Sequence, residues 1–112
     1  MIVITDNIFE VGDVSIASEE YSTFIKVVID VNTGRIAAGG EWHADAEKVM
    51  LETGSLQDDL WGGGINIVDK KITFTALINM RPKYSRSQEV LDINVRNRMV
   101  EIINRAFGGG YE

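Results

Sequence analysis

The sequence contains no cysteine, one proline (Pro82) and one histidine (His43). Without cysteine there can be neither a disulfide framework nor a thiolate metal site, and small secreted domains usually depend on such staples. A cytoplasmic setting is therefore expected. No apolar run approaches the roughly eighteen residues of a membrane span. The opening Met-Ile-Val-Ile-Thr-Asp lacks a basic region followed by a long apolar stretch. Neither export nor membrane insertion is expected. Nucleophilic catalysis has little to work with, because there is no Gly-x-Ser-x-Gly elbow and only His43 could act as a conventional base.

Positive charge is also scarce, with 11 Lys and Arg against 17 Asp and Glu and a net charge of -6. That balance argues against nonspecific nucleic-acid binding, which relies on a basic surface to displace counterions from phosphates. The charge is uneven along the chain. Residues 1–69 carry 3 basic and 13 acidic side chains, and residues 70–112 carry 8 and 4. Either the two halves attract each other, within the fold or across an interface between copies, or the basic half holds an anion.

What remains is an ordinary globular composition, 45% hydrophobic and 25% charged over 112 residues, with no repeat and no linker. One domain spanning 1–112 is expected. Ile25, Val27, Ile29 and Val31 alternate at period two and meet Arg35-Ile36-Ala37-Ala38 across Asn32-Thr33-Gly34, the pattern of a β-hairpin. A second hairpin is expected from Ile65–Val68 through Asp69-Lys70-Lys71 into a long strand, Ile72–Met80. Ile72, Phe74, Ala76, Ile78 and Met80 would share its inner face, with Leu77 and Asn79 among the outward residues. Helices are expected over about Ala44–Thr53, ended by Gly54, and from Asp92 to Gly108, where Val95, Met99, Ile102, Ile103 and Ala106 share one face. Residues 6–21 mix helix formers with Gly12, Val14 and Ile16 and give no firm reading. The fold class is α+β: a two-layer domain with an antiparallel sheet of four or five strands, and a short and a long C-terminal helix packed mainly on one face.

Several groups could carry chemistry. In Gly39-Gly40-Glu41-Trp42-His43-Ala44-Asp45, an extended backbone would point Glu41, His43 and Asp45 the same way, a set that could hold a hard or borderline metal ion. The structural alternative has Asp45 capping the helix and Glu41 complementing its N-terminus. Ser55 and Asp58 have capping-box spacing, with Leu56, Leu60 and Trp61 fastening that turn to the body. Asp58 and Asp59 could join Glu41 and Asp45 in an acidic group. Gly62-Gly63-Gly64 lacks the Lys-Ser/Thr of a phosphate loop and reads as a flexible connector. The loop Arg81-Pro82-Lys83-Tyr84-Ser85-Arg86-Ser87 could hold a small anion through charge-assisted hydrogen bonds, or Arg81 and Arg86 could pair with Asp58 or Glu41.

Gly39-Gly40-Glu41, His43-Ala44-Asp45, Gly54-Ser55, Gln57–Gly62, Ile65-Asn66 and Ile78-Asn79-Met80-Arg81-Pro82 resemble, in order and spacing, the hallmark segments of a small prokaryotic family, a domain of unknown function. The resemblance runs from about Ser22 to Phe107. It departs from the family in the three glycines after Trp61, where one is usual, in a shorter loop after Pro82, and in residues 6–21, where a clear helix would be expected. It implies a recurring domain and no assigned activity. It draws attention to Glu41, His43 and Asp45, and to Asn79 and Arg81. No cofactor is implied. The expected function is a non-catalytic binding or interaction module that self-associates. The alternative is a small ligand-binding protein or enzyme setting Glu41, His43, Asp58 and Asp59 opposite Arg81 and Arg86.

Overall fold

The computed structural model describes residues 1–83 and 85–112. Five antiparallel strands, β1 (Ile2–Thr5), β2 (Phe24–Asp30), β3 (Ile36–Gly39), β4 (Leu60–Asn66) and β5 (Ile72–Thr73), form one sheet in the order β1-β3-β2-β4-β5. Three helices accompany it: α1 (Val11–Ala17), α2 (His43–Glu52) and α3 (Ile93–Phe107). The α+β class, the antiparallel sheet, the first hairpin and the long C-terminal helix are as expected. Residues 6–21 contribute the short helix α1. Among the described residues no helix is long and apolar enough to cross a membrane.

Period-two alternation makes β2 central. Ile25, Val27 and Ile29 point to one face and are fully buried with Met99, Ile102, Ile103 and Ala106 of α3. Val28 points to the other face and is buried with Ala37 of β3, Ala46 and Met50 of α2, and Leu60. The sheet is therefore covered on both sides. This corrects the expected placement of the short helix: α1 and α3 share one face, and α2 lies on the opposite one. The reason can be read in β2 and β3. Val28 and Ala37 give the second face its own apolar surface, and the Ala46/Met50 stripe of α2 fits it.

β4 begins earlier than expected and includes Gly62-Gly63-Gly64, which is buried strand and not a connector. A Cβ on Gly62 would lie 2.6 Å from the Ala76 Cβ, one on Gly63 2.4 Å from the Thr73 carbonyl oxygen, and one on Gly64 2.1 Å from the Phe24 ring. Each glycine is the gap into which a neighbour packs.

The long strand expected over 72–80 stops at Thr73. Beyond it the chain leaves the sheet and pairs with a later segment. The Val90 N–H donates to Phe74 O, and the Ala76 N–H to Gln88 O. Alternation survives through Ala76, which is buried, while Thr73, Thr75 and Leu77 are exposed. A 3-10 turn at Leu77–Asn79 then breaks the period and turns Asn79 inward, where it is fully buried.

α3 has the cap expected of it: the Asp92 carboxylate accepts from the Asn94 and Val95 N–H groups, and Gly108 ends the helix at a φ of 90°. Its arginines carry positive charge across to the acidic half by donating to carbonyls. Arg98 binds Val31 O, and Arg105 binds Asn7 O and Gly34 O.

Candidate functional site

Three of the candidate residues, His43, Asn79 and Arg81, gather on β4. In the β2–β4 ladder, the odd-numbered residues of β4 direct their peptide groups to β2, the register that also carries the Val31 N–H to Asp59 O and the Ile67 N–H to Thr23 O. The even-numbered residues face the other way. Gly64 pairs with Thr73, but among the described residues no strand lies beside Gly62 and Leu60 on that side.

Asn79 fills the first gap. Its Oδ1 accepts from the Gly62 N–H at 2.8 Å, and its Nδ2 donates to Gly62 O at 2.9 Å and to Gln88 O at 3.0 Å. The side-chain amide thus replaces a peptide group of an absent strand. Arg81 fills the second. Its guanidinium donates to Leu60 O and to Asp58 O, and lies 4.0 Å from the centroid of the Trp61 ring. Arg81 meets Asp58 through the backbone, the Asp58 carbonyl accepting from the guanidinium.

His43 is the first residue of α2 and half-buried above Gly63, with Nε2 2.6 Å from Gly63 O. A carbonyl can only accept, so Nε2 carries the proton. Burial, above all, pushes the imidazole pKa below its ordinary value. The bond to Gly63 works against that shift, and the nearby Lys26 ammonium adds to it. The ring is therefore neutral with Nε2 already engaged. Glu41 and Asp45 have exposed side chains. Among the described residues no three His, Asp or Glu side chains converge in a metal-binding arrangement. Trp42, not Asp45, stands at the N-cap of α2; Asp45 lies in the first helical turn, where its charge faces the positive end of the helix.

Three grooves flank these residues. One, of about 490 Å³, is lined by Trp61, Arg81, Ser85 and Leu91 with the acidic Asp58, Glu89 and Asp92. A second, of about 300 Å³, sets Arg81, Pro82 and Lys83 beside Gln57, Asp58 and Ile78. Three carboxylates to one guanidinium make the first a poor host for a small anion, whereas in the second Arg81 and Lys83 stand beside Asp58. Arg86 is exposed and lines neither. A third groove, of about 280 Å³, runs between Trp42, His43 and Ala44 on one side and Thr75–Ile78 on the other. Lys26 lies on its floor, 5.1 Å from the Tyr21 ring centroid and 5.2 Å from that of Trp42, and donates to Glu41 O. Tyr84, expected in the anion loop, lies outside the described residues.

Two features escape the sequence reading. Lys26 is one; a lone cation in the apolar run of β2 is the signal that could have found it. The other is the buried carboxylate of Asp30. It accepts from the Asn32 and Thr33 N–H groups and, at 2.7 Å, from the Ser55 hydroxyl. Burial by itself would raise this carboxyl, but the hydrogen bonds from Thr33, Ser55 and Asn32 outweigh it and hold the pKa below the ordinary value. Ser55 therefore braces Asp30 and does not cap the turn at Gln57–Asp59, whose N-cap is Leu56. Leu56, expected to fasten that turn, is exposed, whereas Leu60 is buried.

No curated protein and no solved structure matches the chain. The family model described as "Protein of unknown function (DUF5674)" matches residues 2–106 of the 112, and the chain belongs to that family.

Proposed function

We propose that this protein is a non-catalytic interaction module that assembles with copies of itself. The observation that carries the reading is the use of its most chemically capable side chains. His43, Asn79 and Arg81 are bound to the backbone of β4 at Gly63, Gly62 and Leu60. A catalytic acid, base or electrophile needs a polar atom free to meet a substrate, and Asn79 is fully buried with both side-chain polar atoms engaged. Large apolar side chains, Trp42 and Leu77 among them, face solvent instead. Val68 and Leu77 are exposed as expected, but in a turn and a 3-10 turn, not on an open sheet face. A sequence free of cysteine supports a cytoplasmic location for such a module.

Light scattering of the purified protein across a hundredfold range of concentration tests the reading. A mass above that of one chain, rising with concentration, is expected. A single-chain mass throughout would overturn it. A second reading, a small bound ligand, draws support from the groove beside Trp61. Its apolar walls, Trp61 and Leu91, and its three carboxylates suit a cationic or neutral organic molecule better than an anion.

A further inference from the structure

The two edges of the sheet are treated differently. On the far side, the part of β4 that β5 does not cover is closed by the side chains of Asn79 and Arg81. The opposite edge, β1, has no such closure. In the β2–β3 pairing the Asp30 N–H donates to Arg35 O, so the odd-numbered residues of β3 face β2 and its even-numbered ones, Ile36 and Ala38, face β1. Their partners Thr5 and Val3 therefore point inward, and the N–H and C=O groups of Ile2 and Ile4 point away from the sheet. Among the described residues, no side chain or loop hydrogen-bonds to those groups.

Such an edge is usually protected by a charged residue, a proline or a bulge. The segment Ile2-Val3-Ile4-Thr5 has none of these, and its pairing with β3 is unbroken. Apolar side chains near it face solvent, Met1 65% exposed, Ile8 56% and Val11 91%, and the charge at its start, the Met1 ammonium, is paired with Glu20 and Glu19.

Resting on the self-association proposed above, we infer that β1 is the interface, and that its occupant is the β1 strand of a second copy. The two strands pair antiparallel about a two-fold axis at Val3. That register sets Ile2 opposite Ile4 of the second copy and Val3 opposite Val3. It matches outward N–H groups to outward C=O groups on both chains, so the edge is complementary to itself. It also places Met1 of one copy opposite Thr5 of the other, whose hydroxyl binds Ile8 O, so the exposed Met1 and Ile8 are covered together. Val3 packs against the core under α3, and Ile2 and Ile4 against the core under α2. Pairing at β1 therefore joins both cores across the axis and turns two five-stranded sheets into one.

Ile4→Pro tests the inference, because it removes an N–H that the single chain does not use. Ile8→Lys places a charge at a side chain that is exposed in the single chain and that pairing would cover. Light scattering of full-length wild type and both variants, with circular dichroism to confirm folding, gives the oligomeric state. Hydrogen exchange of the wild-type Ile2 and Ile4 amides, at high and low protein concentration, reads the edge directly if neither variant folds. The expected result is an assembled wild type, folded single-chain variants, and protection of both amides that is lost on dilution. An assembled wild type whose folded variants stay assembled, or whose Ile2 and Ile4 amides exchange freely at high concentration, would overturn the β1 interface while leaving self-association standing. A wild type that never assembles would overturn both.

Discussion

A carboxamide suits the edge of β4 because it holds a donor and an acceptor side by side, as a peptide group does. Asn79 uses both on Gly62 and has enough donor capacity left for Gln88 O. Asn79→Ala would strand these buried groups and is expected to cost about 3 kcal/mol, measured by urea denaturation. A loss under about 0.5 kcal/mol, the range of ordinary surface substitutions, would show that water replaces the amide. His43 makes a prediction whose sign is fixed. Its folded pKa lies below the ordinary imidazole value of 6.5, so as pH falls through that value the unfolded chain takes up a proton that the folded chain refuses. Stability should therefore decline from there down to the folded pKa. Because His43 is the only histidine, His43→Gln should remove that decline; an unchanged profile would mean that the ring is not held neutral. At this scale the sequence points to the right residues but not to their work. Asn79 and Arg81 stand out in the segment before Pro82, yet no spacing rule reveals that their partners are backbone groups of Gly62 and Leu60, seventeen and twenty-one positions away.

At the scale of elements, β4 depends on having almost no side chains at its centre. Gly63→Ala would drive a methyl group against the Thr73 carbonyl and is expected to cost about 2–3 kcal/mol by prising β5 from β4. Unchanged stability would mean that the two strands can separate freely at that point. Asp92→Ala should cost about 1 kcal/mol through loss of the α3 cap, read from the same denaturation curves. Where one periodicity governs an element, its place in the sequence is legible: the alternation of Ile25, Val27 and Ile29 marks β2, and the spacing of Met99, Ile102, Ile103 and Ala106 marks α3. Where two neighbours compete, it is not. Ile72–Met80 reads as a strand of nine residues, yet Phe74 and Ala76 bond to Val90 and Gln88, and the turn at Leu77–Asn79 takes the chain off the sheet. The three glycines look like a connector because their role is to leave space, and only the neighbours that fill it, Ala76, Thr73 and Phe24, make that visible.

For the whole molecule, the separation of charge along the chain has an internal use. Arg98 and Arg105 reach carbonyls at Val31, Gly34 and Asn7, fastening α3 to the β2–β3 turn and to the segment before α1. Together with Arg81 on Leu60, these contacts use basic side chains for the fold that could otherwise face a ligand. The same pattern leaves large apolar side chains facing solvent, Met1, Ile8 and Val11 near β1 and Trp42, Val68, Leu77 and Leu91 elsewhere. Native mass spectrometry of the protein as purified tests this most directly, since one spectrum reports subunit number and any retained molecule. An assembly of two or more chains with no added mass is the predicted result. A single chain carrying a defined small molecule would contradict it and make the groove beside Trp61 and Arg81 the place to look.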